Sequence, residues 1–192
     1  MYLKSARALK EQNDVLYQPG SLGPDNVYWV FTDITPPSTK KAWQNMTIIT
    51  PGLYGNEFPK TYGHYHNVNI NEIYHVIEGK GILLLQKGYP QVTELVLITL
   101  GPGDEVTITP EWGHSLSNVG ETPLVTYDNW TSGHTQADYD PIKKAGGMAC
   151  FLLKGKDKED QAEIQINSRY GQVPVPKFMT ANEFAATSRN SL

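Results

Sequence analysis

TYGHYHNVNINEIYHVIEGKG, residues 61–81, carries three of the chain's five histidines and a glutamate within a run of β-forming residues. On an extended strand successive side chains alternate faces, so His64 and His66 share one side while Tyr65 points away. The turn-prone NVNIN then leads into a second strand. There Glu72, Tyr74 and Val76 share one face, and Ile73, His75 and Ile77 take the other. A hairpin that lays the two histidines over the Glu72 face joins two imidazoles to one carboxylate. That set suits a divalent transition metal such as Fe, Mn, Ni, Co or Zn. PEWGHSLSNVG (110–120) supplies a fourth candidate, His114, just past a Pro and Gly turn. A lone histidine is commonly a surface or core residue, but His-x-His followed by Glu and a later Pro-x-x-Gly-His reads as a ligand set. His75, opposite Glu72, reads as structural.

Outward from this stretch, short strand-like runs recur: NVYWVFTDI (26–34), NMTIIT (45–50), GILLLQ (81–86), TELVLITL (93–100), EVTIT (105–109), PLVTYDNW (123–130), ACFLLKG (149–155) and AEIQIN (162–167). Turn formers separate most of them. Eight or nine strands in about 140 residues, with no strand–helix alternation, predict an all-β sandwich or barrel over residues 27–170. Residues 1–26 form an N-terminal extension, helical over about 1–14 by composition and then broken by QPGSLGPDN. KDKEDQAE (156–163) reads as a charged hairpin-like stretch, and 171–192 as a tail without an assigned element.

A chain of 192 residues fits one core. Its mean hydropathy of −0.42, with no apolar run near 18 residues, argues against a membrane span. A net charge of −4 without a basic stripe disfavours nucleic acid as a partner. A small anion stays admissible, because a pocket can be locally positive on an acidic protein. The opening MYLKSARALKEQND has no apolar signal-like core, and the single Cys150 cannot pair within the chain, so a cytoplasmic setting is expected.

HYHNVNINEIYHVIEG resembles the first motif of the cupins, His-x-His, a short gap, Glu, then six residues to Gly79. GDEVTITPEWGHSLSN (103–118) resembles the second, with Asn118 four residues after His114. The resemblance implies a double-stranded β-helix of the jelly-roll type, with His64, His66, Glu72 and His114 as ligands. Fold alone does not give function. A narrower likeness does more: MTIITPGLYGNEFPKTYGHYHN (46–67), VYWVF (27–31), GKGILLLQ (79–86), PEWGHSLSNVGETPL (110–124) and SGH (132–134) resemble, in the same order, the archaeal-type cupin phosphoglucose isomerases. It implies a homodimer that interconverts glucose 6-phosphate and fructose 6-phosphate with one divalent metal per subunit, Fe first among the candidates.

Transferred by position, the resemblance places Thr47, Thr61 and Gly63 at the phosphate and Tyr28 and Tyr74 along the sugar. His134 falls by the phosphate or ring end, and Tyr139 takes a tyrosine role. Glu72, Tyr74 and His134 are the catalytic candidates. Hydroxyls and a backbone N–H beside a glycine admit a phosphate closely. This chain departs from the pattern in three places. Five residues rather than six separate His66 from Glu72, the second motif has one extra residue between Gly103 and Pro110, and Trp130 replaces a tyrosine. An indole can pack on sugar but cannot act as acid or base. For the isomerisation, a carboxylate such as Glu72 taking the C2 proton and a direct hydride shift beside a Lewis acid both stay open. The competing functions are an Fe-dependent cupin dioxygenase and a non-enzymatic sugar-phosphate-binding cupin. Glu57 reads as a turn residue, Asn118 as a support for the His114 strand, and Lys60 as a solvated charge.

Overall fold

The computed structural model describes residues 1–34, 42–155 and 162–189. Twelve strands occur among these residues. One sheet has the order β1 (Tyr2–Ala8), β2 (Asn26–Thr32), β3 (Asn45–Ile49), β9 (Leu124–Asp128), β4 (Glu72–Glu78), β7 (Glu105–Ile108). A second has the order β12 (Lys177–Thr180), β6 (Glu94–Leu100), β5 (Gly81–Lys87), β8 (Trp112–Asn118), and β10 (Cys150–Lys154) pairs with β11 (Ala162–Ile166) as a separate hairpin. Val27, Ile49 and Val76 of the large sheet pack against Leu83, Leu85, Val96 and Ile98 of the smaller one. The architecture is the expected jelly roll of the cupin type.

The smaller sheet is covered on both sides. Its outer residues Ile82, Leu84, Leu95 and Leu97 pack with Ile142 of helix α1 (Gln136–Lys144) and with Leu152 of β10. Residues 81–86 of β5 are therefore all buried. That double burial is why GILLLQ reads as an unbroken apolar run instead of an alternating one.

Three expectations change at the level of elements. Tyr2–Ala8 is a strand, with Tyr2 opposite Thr32 and Arg7 opposite Tyr28, and only Leu9–Val15 is helical, as a 3-10 turn. A short helix has weak intrinsic stability, and pairing with the open edge of β2 overrides it. His64 and His66 do not lie on a regular strand. Residues 61–71 run irregularly, and His64 forms a single bridge to His114. Lys60 is not solvated: it is buried against Glu57 and donates to the Val15 carbonyl at 2.8 Å. Gln12 completes the contact, since its Nε2 donates to the Lys60 carbonyl at 2.9 Å and so fastens the 3-10 turn to the Glu57 loop. Part of the charged stretch, 156–161, lies outside the described residues.

Two helices went unread, and both carry a start signal. Asp138 Oδ2 accepts from the Thr135 N–H at 2.7 Å, and Glu183 Oε2 accepts from the Thr180 N–H at 2.7 Å at the start of α2 (Ala181–Arg189). Each is a Thr-x-x-acid capping pattern. The tail is placed by β12, which pairs in parallel with β6, and by Phe184, whose ring meets Trp112 edge-on at 6.0 Å. Asn118 acts as the expected support, donating to the carbonyls of Ile49, Thr50 and Thr122.

Gly79 turns the chain from β4 into β5 with φ of +88°, and a Cβ there would meet Pro123 O at 2.6 Å and Leu124 Cα at 2.8 Å. Both neighbours are backbone and cannot swing aside. Gly79→Ala is expected to cost about 2 kcal/mol or more, lowering the melting temperature by roughly 4–8 °C. A thermal melt within a degree of the parent would show that this turn is not a fixed point of the fold.

Candidate metal centre and its cavity

The irregular segment that carries the first two histidines is held from two sides. The His64 N–H donates to the His114 carbonyl at 3.1 Å, and the His114 N–H donates back at 2.9 Å. On the other side the Tyr65 N–H donates to the Asp138 carbonyl at 3.0 Å, while Asn67 donates through its N–H and its amide to Asp138 Oδ1. Gly63 has φ of +86°, and a Cβ there would press on Met148 Sδ at 3.0 Å. Glycine is what lets the chain turn into His64 at this depth.

Glu72 is the first residue of β4, and the five-residue gap after His66 does not displace it. His64, His66, Glu72 and His114 are all buried, and one ligand atom from each lies within 4.8 Å of the others. Glu72 Oε2 lies 3.0 Å from His114 Nε2 and 3.4 Å from His66 Nε2, and His64 Nε2 lies 3.1 Å from His66 Nε2. Bonds of about 2.0–2.2 Å to a shared cation would space neighbouring donors roughly 3 to 4.4 Å apart. Glu72 Oε2 and His114 Nε2 nonetheless have no hydrogen bond of acceptable angle. Close approach without mutual aim is what donors converging on one cation present.

The electrostatics fit that reading. Burial alone would raise the Glu72 carboxyl, but His114 and His66 beside it pull it down to about 2, so it is ionised at neutral pH. Burial, then His114, His134 and His66, lower the His64 pKa well below the usual imidazole value, leaving the neutral ligand form. The group could hold a divalent cation, with one carboxylate and three imidazoles as donors.

A cavity of about 350 Å³ opens beside the cluster, with His64 and Glu72 in its wall. The volume is in the range of small-molecule sites. Of the residues expected around a substrate, Tyr28, Thr47, Thr61, Gly63 and Tyr139 line it. Tyr74 also lines it, and burial followed by the Glu72 and Asp128 carboxylates raises its hydroxyl well above the usual phenol value. His134 reaches the same wall, its ring 4.1 Å from that of His64, and burial lowers its pKa to about 4. Trp130 is buried, stacks on His66 at 3.9 Å with 11° between planes, and presents an unpartnered indole N–H. His75 faces away, stacked on Trp43 at 5.4 Å, as a structural residue would.

Lys4, Arg7, Asn45 and Asp128 line the cavity without having been singled out in the sequence. For Asn45 and Asp128 the signal was strand parity: they lie two residues from Thr47 and Thr126 and face each other in register across β3 and β9. For Lys4 and Arg7 it was hidden by the helical reading of residues 1–14.

A family model described as Glucose-6-phosphate isomerase matches residues 23–169. Glucose-6-phosphate isomerase of Thermococcus kodakarensis is 39% identical over 123 residues, covering 62% of this chain and 59% of that protein. The enzyme of the same name from Thermococcus gammatolerans is 39% identical over 127 residues, covering 65% and 62%. That of Thermococcus litoralis is 37% identical over 103 residues, covering 52% and 51%. The chain thus spans about half to three-fifths of the length of these curated relatives. Among solved structures, the cupin domain of Drosophila melanogaster CENP-C is similar with a TM-score of 0.41 and 16% identity, over 56% of this chain and 71% of that one.

Burial, and then the Glu72 carboxylate, push the Asp128 carboxyl from 3.8 up to about 7. They do so against hydrogen bonds from Asn45 Nδ2 at 2.6 Å and the Trp130 N–H at 2.9 Å. A raised folded-state value means that the folded chain keeps a proton that the unfolded chain releases. Stability is therefore full below the unfolded value and is lost as pH rises toward about 7. Asp128→Asn keeps the acceptor oxygen and cannot ionise. In chelator-treated protein the parent's melting temperature is expected to fall relative to the variant between pH 4 and 7, and parallel pH profiles would clear Asp128 as the cause.

Proposed function

The chain belongs to the glucose-6-phosphate isomerase family, and from that membership we propose that it interconverts glucose 6-phosphate and fructose 6-phosphate in the cytoplasm. The observation that carries the proposal is the convergence of His64, His66, Glu72 and His114 on the wall of a cavity that Thr47, Thr61 and Gly63 also line. One divalent transition metal per subunit is part of the reading, with Fe first and Mn, Ni, Co or Zn as the other candidates. A cation held by these four donors would supply Lewis acidity to oxygens of a bound sugar.

The chain's own groups divide the remaining work. Thr47, Thr61 and the backbone beside Gly63 receive the phosphate, and Thr61 is well placed for it. Its Oγ1 accepts from the Leu116 N–H at 3.0 Å, which fixes the hydroxyl, and its proton meets only a long 3.5 Å contact with Ser115 Oγ that a phosphate oxygen would outcompete. Tyr28 and Tyr139 border the sugar, and Trp130 supplies a flat apolar wall that keeps water from His66. Tyr74 stays protonated, so it donates a hydrogen bond to a sugar oxygen. Neutral His134 can accept a proton from a substrate hydroxyl and return it. Glu72, ionised and within the cavity wall, serves as the carboxylate in either route.

A homodimer is also proposed, supported by the apolar Tyr2 and Leu3, which are exposed on the edge strand β1. Among the described residues no helix is long and apolar enough to cross a membrane.

Isomerase activity on glucose 6-phosphate is the test, measured on chelator-stripped protein before and after adding Fe(II), Mn(II) or Ni(II). Stripping is expected to abolish turnover and re-addition to restore it, with His64→Ala at least about 100-fold below the parent in every metal, as for loss of a ligand. Metal uptake without turnover in any of them would refute the isomerase reading.

A further inference from the structure

β1 lies outside the family match, which begins at residue 23, yet it forms one side of the cavity. Its pairing with β2 shifts register between Leu3 and Ser5, so Lys4 is the extra residue of a bulge. Bulges next to cavities re-aim side chains. Lys4, Ser5 and Arg7 all reach the cavity lining. Arg7 is half-buried, its Nε donates to the Tyr28 hydroxyl at 3.3 Å, and its guanidinium lies 5.5 Å from the centre of the Tyr62 ring. Tyr62 stands between Thr61 and Gly63. The guanidinium is thus fixed beside the segment assigned to the phosphate.

Among the described residues no carboxylate pairs with Arg7 or Lys4 at ion-pair distance. Glu11, whose field reaches Arg7, is engaged by the Ala8 N–H at 2.8 Å. A half-buried guanidinium in a cavity wall, with one nitrogen fixed and no counter-carboxylate among the described residues, is an anion receptor with donors to spare. We propose that Arg7, assisted by Lys4, clamps the phosphate of the substrate from the β1 side, opposite the Thr47, Thr61 and Gly63 contacts. The inference rests on the isomerase reading only for the identity of the anion. It gives an acidic protein a local cationic entrance, and it makes β1 a determinant of specificity for phosphorylated over neutral sugars.

The test uses the full chain with Arg7→Gln, Arg7→Lys, Lys4→Gln and the double variant Arg7→Gln/Lys4→Gln. Binding of inorganic phosphate is measured by titration calorimetry at low and high salt, alongside KM and kcat for glucose 6-phosphate. Arg7→Gln is expected to weaken phosphate binding and raise KM about tenfold or more, the scale of a lost charge-assisted hydrogen bond, with a smaller change in kcat. Arg7→Lys should recover part of the loss, and Lys4→Gln should weaken binding less and flatten the salt dependence. Far-UV spectra and melts of each variant separate this from damage to the Tyr28 contact. Phosphate binding that is the same in the parent and the double variant, or absent in the parent, overturns the proposal. Arg7-dependent phosphate binding in a protein that isomerises nothing with any metal would leave the anion clamp standing and remove the isomerase reading alone.

Discussion

Two backbone hydrogen bonds between His64 and His114 govern the geometry of the site. They join an irregular segment to the regular strand β8, so two candidate ligands 50 positions apart in the chain share one local frame. Asp138 grips the far end of the same segment through Tyr65 and Asn67. Between these clamps the backbone has little freedom left, and the imidazoles are presented without a β ladder of their own. Preorganisation of this kind spares the donors from being ordered when a ligand binds.

The site also depends on a separation of charge. Three imidazoles and a single carboxylate are buried together, and burial favours the neutral form of the His64 ring. Asp128, the next carboxyl in from Glu72, is pushed toward its protonated form, so the wall does not accumulate negative charge. Lys4 and Arg7 line the same cavity. A chain of net charge −4 thereby presents a cavity whose wall holds both an ionised carboxylate and two cationic side chains.

The convergence of His64, His66, Glu72 and His114 was legible because its signal is local: His-x-His, a Glu at short distance and Pro-x-x-Gly-His need no knowledge of tertiary pairing. The jelly roll was legible from recurrent short apolar runs. What failed to show was decided by contacts between distant segments. MYLKSARA has respectable helix formers, yet the free edge of β2 recruits it as a strand, and with that Arg7 and Lys4 enter the cavity. Lys60 reads as solvated in any window of sequence, and only the packing of the 3-10 turn over Glu57 buries it. Asp128 was hidden inside an ordinary strand, since its partner Asn45 is 83 residues away.

That last distance bears on how the molecule is made. β3 waits for β9, as Asn45 pairs with Asp128, and β6 waits for β12, as Val96 pairs with Lys177. During synthesis the hairpin from β5 to β6 can close as soon as it emerges, but β3 and β4 are not bridged until β9 has been made. Topologies of this sort fold slowly, because loop closure precedes the contacts that reward it. Half-made chains therefore expose the edges of β3 and β6 until β9 and β12 have been made, and an unpaired edge of that kind is a template for association with another chain.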